Sequence, residues 1–263
     1  MKQRVITAIV ALLIFVPLLI IGGTAFNILV VLMGLVAMSE FLRMKKKLLV
    51  SPEALIGFVM MTTLVIPNEW LSFLPDQVGK MEVFYLGVLC LMIHTVVSKN
   101  RFSFDDASVI VLGAVYAGFG FHYMALARTQ SWQMLLYALL IVWITDSGAY
   151  LIGRKIGKNK LAPHISPNKT WEGSVGGTLS TVIVVGIYLY FFATPDFYSL
   201  KTMLGLTLIF SIGGQLGDLI ESAFKRHYGI KDSGNILPGH GGILDRFDSL
   251  LFVLPLLHFT GLI

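Results

Sequence analysis

MLGLTLIFSIGGQLGDLIESAFKRHYGIKDSGNILPGHGGILDRFDSLLFVLPLLHFTGLI, residues 203–263, is built from two kinds of chain. Residues 203–224 and 248–263 are apolar runs, near the length of about 17–25 residues that crosses a bilayer as a helix. Between them, residues 225–247 gather Lys225, Arg226, Lys231, Asp232, His240, Asp245 and Arg246 among Gly229, Gly234, Gly239, Gly241 and Gly242. A loop that only joined two helices has no use for that charge. The stretch therefore reads as two membrane helices with a chemical loop between them. The second run is short, and Pro255 is expected to bend it.

The apolar pattern continues upstream. Of 263 residues, 56% are hydrophobic and 13% charged, where a soluble domain carries about 25% charged residues. Mean hydropathy is +0.78. The runs are continuous rather than alternating, which excludes a β-barrel. The predicted fold class is all-α, a polytopic helical membrane protein. Nine spans are expected at about 5–21, 24–42, 54–73, 82–98, 107–126, 132–152, 173–194, 203–224 and 248–263. Pro67, Asn68 and Glu69 interrupt the third, which is expected to kink or end early. Residues 1–23 have the Lys2 and Arg4 of a signal peptide, but Gly22–Gly23–Thr24 is a poor cleavage site and a second span follows at once. A retained first helix is expected. The single cysteine, Cys90, excludes an internal disulfide and is assigned to packing. The Met stripes of spans two and three are read as lipid-facing or core, and Trp143 and Trp171 as interfacial anchors or packing.

Lys and Arg placement sets the orientation. With the N-terminus inside, seventeen of the twenty fall on the inner side and only Lys80, Arg128 and Lys201 on the outer. The C-terminus is then outside. Two inner loops, 153–172 and 225–247, are basic, polar and glycine-rich. Neither can hold a soluble nucleotide-binding domain. Any active site must be built from helix ends and these loops.

Three carboxylates read as buried by position: Asp146 in the sixth span, Asp218 and Glu221 in the eighth. A charge at the bilayer centre costs on the order of 3 kcal/mol or more. Asp146 and Asp218 each lie roughly 9 Å from the inner end of their span, at about 1.5 Å per residue. Equal depth predicts one shared, water-accessible cleft. Asp218, Glu221, Ser222 and Lys225 fall on one helical face. Gly213, Gly214 and Gly217 just above allow close helix approach. The plain alternative is a carboxylate paired with Lys or Ser only to hold helices together.

Asp245 and Asp248 stand three apart at the start of the ninth span. Their oxygens are expected to meet Asp218, and hard oxygen ligands select Mg²⁺, Mn²⁺ or Ca²⁺. The plain alternative is that they only favour a helix N-terminus. His240 beside Gly241 and Gly242 reads equally as a phosphate donor or a turn residue. In the other loop, Ser166, Lys169, Thr170 and Glu172 surround the start of span seven, where free N–H groups suit phosphate. A positive-inside loop alone accounts for Arg154, Lys155, Lys158 and Lys160, but poorly for Ser166, Pro167 and Glu172.

These residues resemble the signature of the phosphatidate cytidylyltransferases, the CDP-diacylglycerol synthases. Its fixed positions are met by Ser222, Lys225, Arg226, Lys231, Asp232, Gly234, Pro238, His240, Gly241, Gly242, Asp245, Arg246 and Asp248. Asp146, Gly153, Arg154, Gly157, Lys158, Ser166, Pro167, Lys169, Thr170, Glu172 and Gly173 are similar as well, while the first 130 residues match only in hydrophobic layout. The resemblance implies that CTP and phosphatidate give CDP-diacylglycerol and pyrophosphate, with Mg²⁺ required. It also implies a homodimer in the membrane and leaves room for a second, monovalent cation such as K⁺. Asp146, Asp218, Glu221 and Asp245 are then the candidate metal ligands. Asp218, Lys225, Arg226, Asp245, Arg246 and Asp248 are the candidate catalytic residues. Ser166, Lys169, Thr170, Glu172, Ser222, Lys231, Asp232, His240, Gly241 and Gly242 are assigned to substrate.

Residues 1–130 are then expected to be scaffold helices and 131–263 the catalytic half with both loops. The partners are CTP, phosphatidate and membrane lipids, with no nucleic acid. The location is the inner cell membrane, with the active site on the cytoplasmic face. Two rival readings stand beside this one. A secondary transporter would use the same carboxylates as relays, but the polar residues cluster at one face and no internal repeat supports it. The same chemistry on another lipid phosphate, such as an ether-linked prenyl lipid, is the other.

Overall fold

The computed structural model describes residues 2–193 and 198–263. Among these, nine α-helices follow in order: α1 Lys2–Ile21, α2 Gly23–Met44, α3 Pro52–Val65, α4 Lys80–Val97, α5 Phe104–Gln130, α6 Trp132–Ile156, α7 Trp171–Tyr188, α8 Leu200–His227 and α9 Leu244–Phe259. Each matches an expected span, so the chain is all-α in class. Thr194, the expected last residue of the seventh span, lies outside the described residues. Six helices are long and apolar enough to cross a membrane: α2, α4, α5, α6, α7 with its π-helical turn Leu189–Ala193, and α8. Val5–Ile21 and Pro52–Val65 are shorter apolar helices.

Local chemistry sets the boundaries. Gly22 and Gly23 take φ of 69° and 58°, the left-handed turn between α1 and α2 that side chains disfavour. Ser51 caps α3 by accepting from Ala54 N, with Pro52 in the first turn, where its missing N–H costs nothing. Pro67 ends the same helix: it stops at Val65, and Asn68–Leu71 form a separate 3₁₀ turn. Ser131 and Ser199 cap α6 and α8 by the same side-chain bond.

The 153–172 segment departs from expectation. It is not an open loop: β1 Lys160–Ala162 pairs antiparallel with β2 Ser166–Thr170. Glu172 fixes the approach to this hairpin. Its carboxylate accepts from Lys158 N at 3.1 Å, Asn159 N at 3.2 Å and Asn159 Nδ2 at 2.7 Å.

Two compact units emerge. One gathers the described residues up to Ala125 with Asp232–Arg246; the other gathers Leu126–Lys231 with Phe247–Ile263. In the first, the methionines prove to be core: Met38, Met60 and Met61 are fully buried with Phe26 and Phe121. Gly34 admits Met61, and Gly57 admits Met38 and Ile110. Lys45 and Lys47 pair with Asp106 at 3.0 and 2.7 Å. Cys90, assigned to packing, is instead exposed on α4.

In the second unit, α6 and α7 touch backbone to backbone. A Cβ on Gly177 would lie 2.6 Å from Thr145 O, and one on Gly173 2.7 Å from Ala149 O. Gly217 does the same for α8 and α9, 2.8 Å from Asp248 O. Hydroxyls tie α6, α7 and α8: Thr145 to Thr181 and to Ser211 at 2.8 Å, and Ser211 to Thr178 at 3.1 Å. In apolar surroundings such groups must satisfy one another.

Candidate active site

Close approach of α6 and α7 places the polar turn of α6 beside the start of α7. The hairpin and α8 close the remaining sides of a cavity of about 460 Å³ in the second unit. From α6 come Asp146, Tyr150 and Arg154; from the hairpin Ser166, Asn168, Lys169 and Thr170; from the start of α7 Gly173 and Ser174; from α8 Gln215 and Asp218. The shared cleft expected for Asp146 and Asp218 is present. Asp146 is not buried, however: it is exposed at the cavity, and Asp218 is half-buried. A carboxylate facing a water-accessible space avoids the desolvation that depth alone implied.

Charge in the cavity is balanced before any ligand enters. Lys169 Nζ donates to Asp218 Oδ2, and Ser222 Oγ donates to Oδ1 at 3.3 Å. Thr170 caps α7 by accepting from Gly173 N at 3.2 Å, so the helix opens toward the cavity at Gly173 and Ser174. Gln215 is held by its amide, which donates to Thr178 Oγ1 at 2.9 Å. Asp248, in the second turn of α9, lies within electrostatic reach of Asp218, Asp146 and Lys225.

Other expected site residues are engaged elsewhere. Glu221 is fully buried and paired with Lys225, four residues on along α8. Neither lines the cavity. Glu172 holds the hairpin, as described, and also stands off the cavity wall. Arg226 donates to the carbonyls of Ile165 at 3.2 Å and Ile230 at 3.3 Å. Lys231 and Asp232 are exposed.

The glycine-rich segment of the first unit forms its own constellation. Asp245 Oδ2 accepts from Ser233 N and Gly242 N, both at 2.8 Å, and from Ser233 Oγ at 2.9 Å. Arg246 donates to His240 O at 2.9 Å. Gly241 has φ 89°, the left-handed region, and a Cβ there would collide with Asp245. The His240 ring carries a buried Nδ1 without a hydrogen-bond partner among the described residues. Thr7 of α1 donates to Pro238 O at 3.0 Å. Glu40 of α2 also reaches this segment, accepting from Ile243 N and Leu244 N at 2.8 and 2.9 Å.

Arg154, Tyr150, Asn168, Gln215 and Glu40 were outside the expected site. Glu40 had a signal: it is the one carboxylate in the apolar run of span two, and an acid inside a span is functional by default. Gln215 had one too, an amide one turn before Asp218 on the same face.

Among the described residues, no three of His, Cys, Asp and Glu stand close enough to hold a metal ion by themselves. The donor set at the cavity still suits a hard divalent cation. Asp146 of α6 and Asp218 of α8 are carboxylates lining one cavity, and Mg²⁺ ordinarily takes one or two carboxylates and completes its shell with water and substrate phosphate.

A family model described as the cytidylyltransferase family matches residues 2–263. The phosphatidate cytidylyltransferase of Bacillus subtilis (strain 168) is 47% identical over 262 residues, covering 98% of this chain and 97% of that protein. Those of Staphylococcus haemolyticus (strain JCSC1435) and Staphylococcus aureus (strain COL) are 46% and 47% identical, each with 98% of both chains covered.

Proposed function

Because the chain belongs to the cytidylyltransferase family, we propose that it carries out the reaction its relatives are named for. It transfers CMP from CTP to phosphatidate, giving CDP-diacylglycerol and pyrophosphate. The observation that supports a site for it is the cavity that Arg154, Lys169, the start of α7, Asp146 and Asp218 line together.

The nucleophile is a phosphate oxygen of phosphatidate, already ionised at neutral pH. It attacks the α-phosphorus of CTP, a new P–O bond forms, and the bond to the β-phosphate breaks with release of pyrophosphate. No proton has to be removed, so no general base is needed. The barrier lies in bringing two polyanions together, which makes positioning and charge neutralisation the protein's task. Lys169 is already oriented on the wall by Asp218, and Arg154 is exposed to the same space. The α7 terminus adds the positive end of a helix dipole and N–H groups. Asp218 and Asp146 would hold Mg²⁺, with the Asp248 carboxyl nearby. The ion would supply charge neutralisation on the phosphate oxygens and the leaving pyrophosphate. A monovalent cation such as K⁺ beside it is a further part of the reading, supported by the resemblance alone.

Lys225 and Arg226 take supporting roles. Glu221 fixes the ammonium of Lys225, and Arg226 ties the end of α8 to the hairpin through Ile165. We read Glu221 accordingly as a holder of Lys225 more than as a metal ligand. Ser222, on Asp218, positions that carboxylate. Asp245, Arg246, His240, Gly241, Gly242, Lys231 and Asp232 belong to the reaction in this reading through the signature they complete.

The membrane frame is also a proposal. Nine crossings, an inside N-terminus, the inner cell membrane and a cytoplasmic site are supported by the Lys and Arg bias and by CTP being a cytoplasmic metabolite. The homodimer rests on the resemblance alone.

The test uses purified full-length protein in detergent with CTP, phosphatidate and Mg²⁺, following pyrophosphate and the CMP-bearing lipid, with Asp245→Asn alongside. Product from the wild type and at least a hundredfold less from Asp245→Asn is expected. Folded wild type that makes no product from phosphatidate would overturn the reading.

A further inference from the structure

Glu40 is a buried carboxylate that the reaction as described does not use. It sits near the end of α2 at 1% exposure. An ion this enclosed is tolerated only where hydrogen bonds answer its charge. Its partners are all in the glycine-rich segment of the same unit: Ser233 Oγ at 2.9 Å, Ile243 N at 2.8 Å and Leu244 N at 2.9 Å. Ile243 and Leu244 open α9, and the first N–H groups of a helix have no acceptor within it. Asp245 takes the neighbouring Gly242 N. Two carboxylates, one from α2 and one from the first turn of α9, therefore divide these amides between them. They meet at the Ser233 hydroxyl, which is 2.9 Å from each.

Two glycines of the signature make room for this arrangement. A Cβ on Gly234 would lie 2.7 Å from Glu40 Oε1. A Cβ on Gly242 would collide with Ser233 Oγ and with the Glu40 carboxylate. Read from the sequence, the His-Gly-Gly run offers bare backbone to phosphate. In the structure the open side of Gly242 is filled by the protein's own carboxylate.

We propose that Glu40 is a positioning residue. It clamps the segment 233–244 and sets Asp245, and Gly234 and Gly242 are glycine in order to admit it. The proposal rests on the reading that Asp245 serves cytidylyl transfer. The clamp needs a carboxylate. In Glu40→Gln an –NH₂ group would face an N–H that also donates, and one bond would turn into a repulsion.

The experiment uses the full chain in detergent, as wild type, Glu40→Gln, Glu40→Ala, Gly234→Ala and the Glu40→Ala/Gly234→Ala pair. Hydrogen–deuterium exchange without substrate reads the amides of 233–244, and steady-state assays separate kcat from KM. Glu40→Gln is expected to speed exchange at Ile243 and Leu244 at least tenfold. It should lower kcat at least tenfold and leave KM for CTP and phosphatidate within twofold. Gly234→Ala, whose added Cβ would meet Glu40 first, should cost at least tenfold in kcat alone, but less than twofold further once Glu40 is Ala. If Glu40→Ala does not purify as a folded protein, exchange and kcat in Glu40→Gln decide alone.

Wild-type exchange and kcat in Glu40→Gln would overturn the clamp. So would a Gly234→Ala penalty equal with and without the Glu40 side chain, which would give that glycine another role. Exchange is read without turnover. A wild type that makes no CDP-diacylglycerol therefore sinks the proposed reaction, and the exchange data still decide the clamp.

Discussion

Lys169 and Lys225 each hold a carboxylate of α8, Asp218 and Glu221, in different surroundings. The side chains of the first pair are 25% and 27% exposed. An open ion pair of this kind is worth about 0–1 kcal/mol. Lys169→Met should therefore leave the melting temperature within ~2 °C, yet cut kcat by roughly 10²–10³, the scale of losing one charge aimed at a transition state. The second pair is 12% and 1% exposed. Lys225→Met strands a buried carboxylate, at about 3–5 kcal/mol, and the melting temperature should fall by several degrees or more. Glu221→Gln added to Lys225→Met removes both charges and should recover most of that loss. Thermal melts beside pyrophosphate release would check this. If Lys169→Met melts as low as Lys225→Met, the division between a working pair and a structural pair is wrong. That division was not legible in the sequence, which puts Asp218, Glu221, Ser222 and Lys225 on one face with nothing to tell them apart. The difference comes from what packs against each turn, and only the folded unit supplies that.

At the scale of elements, the helices were readable because each is a continuous apolar run, and Pro67 marked the interruption of the third; the caps at Ser51 and Ser131 emerged only in the structure. The hairpin was not readable. GRKIGKNKLAPHISPNKT has no alternation, its strands are three and five residues long, and its anchors are distant: Glu172 on Lys158 and Asn159, Arg226 on Ile165. Glycines divide in the same way. Gly177 is pressed against α6, where an added Cβ would stand 2.6 Å from Thr145 O and 2.9 Å from Ala149 N, both backbone atoms that cannot swing aside. Gly177→Ala is expected to destabilise by about 1–3 kcal/mol as an overpacked contact. By forcing α6 and α7 apart it should also displace the cavity walls they carry, lowering kcat/KM. Gly205, within α8, has nothing within 4 Å of an added Cβ. There Ala should stabilise by about 0.5–1 kcal/mol through helix propensity. Opposite shifts in paired thermal melts would support this packing, and a stabilising Gly177→Ala would contradict the close contact of α6 and α7.

For the whole molecule the undecided quantity is how often the chain crosses the bilayer, because length and charge pull apart. Six helices meet the length for a span, whereas α3 has 14 residues and α9 has 16. At about 1.5 Å per residue, these two reach roughly 21 and 24 Å of a hydrocarbon core about 30 Å thick. Local thinning of the bilayer accommodates such a shortfall at fractions of a kcal/mol per Å. Moving the α3–α4 connection inside would reverse every later loop unless another crossing were lost, and would put Lys and Arg of 153–172 and 225–247 outside, against the positive-inside rule. We therefore expect α3 to cross. Two single-cysteine variants in a Cys90→Ser background test it, Asp76→Cys in the α3–α4 connection and His164→Cys in the hairpin turn, both at exposed positions. A membrane-impermeant maleimide should label Asp76→Cys only in right-side-out vesicles and His164→Cys only in inverted ones. Labelling of Asp76→Cys only in inverted vesicles would mean that α3 does not span, and labelling of both from one side would mean that one of α4, α5 and α6 does not. Labelling of His164→Cys from outside would put the cavity's hairpin on the wrong face for cytoplasmic CTP, and the proposed site would have to be abandoned with the topology.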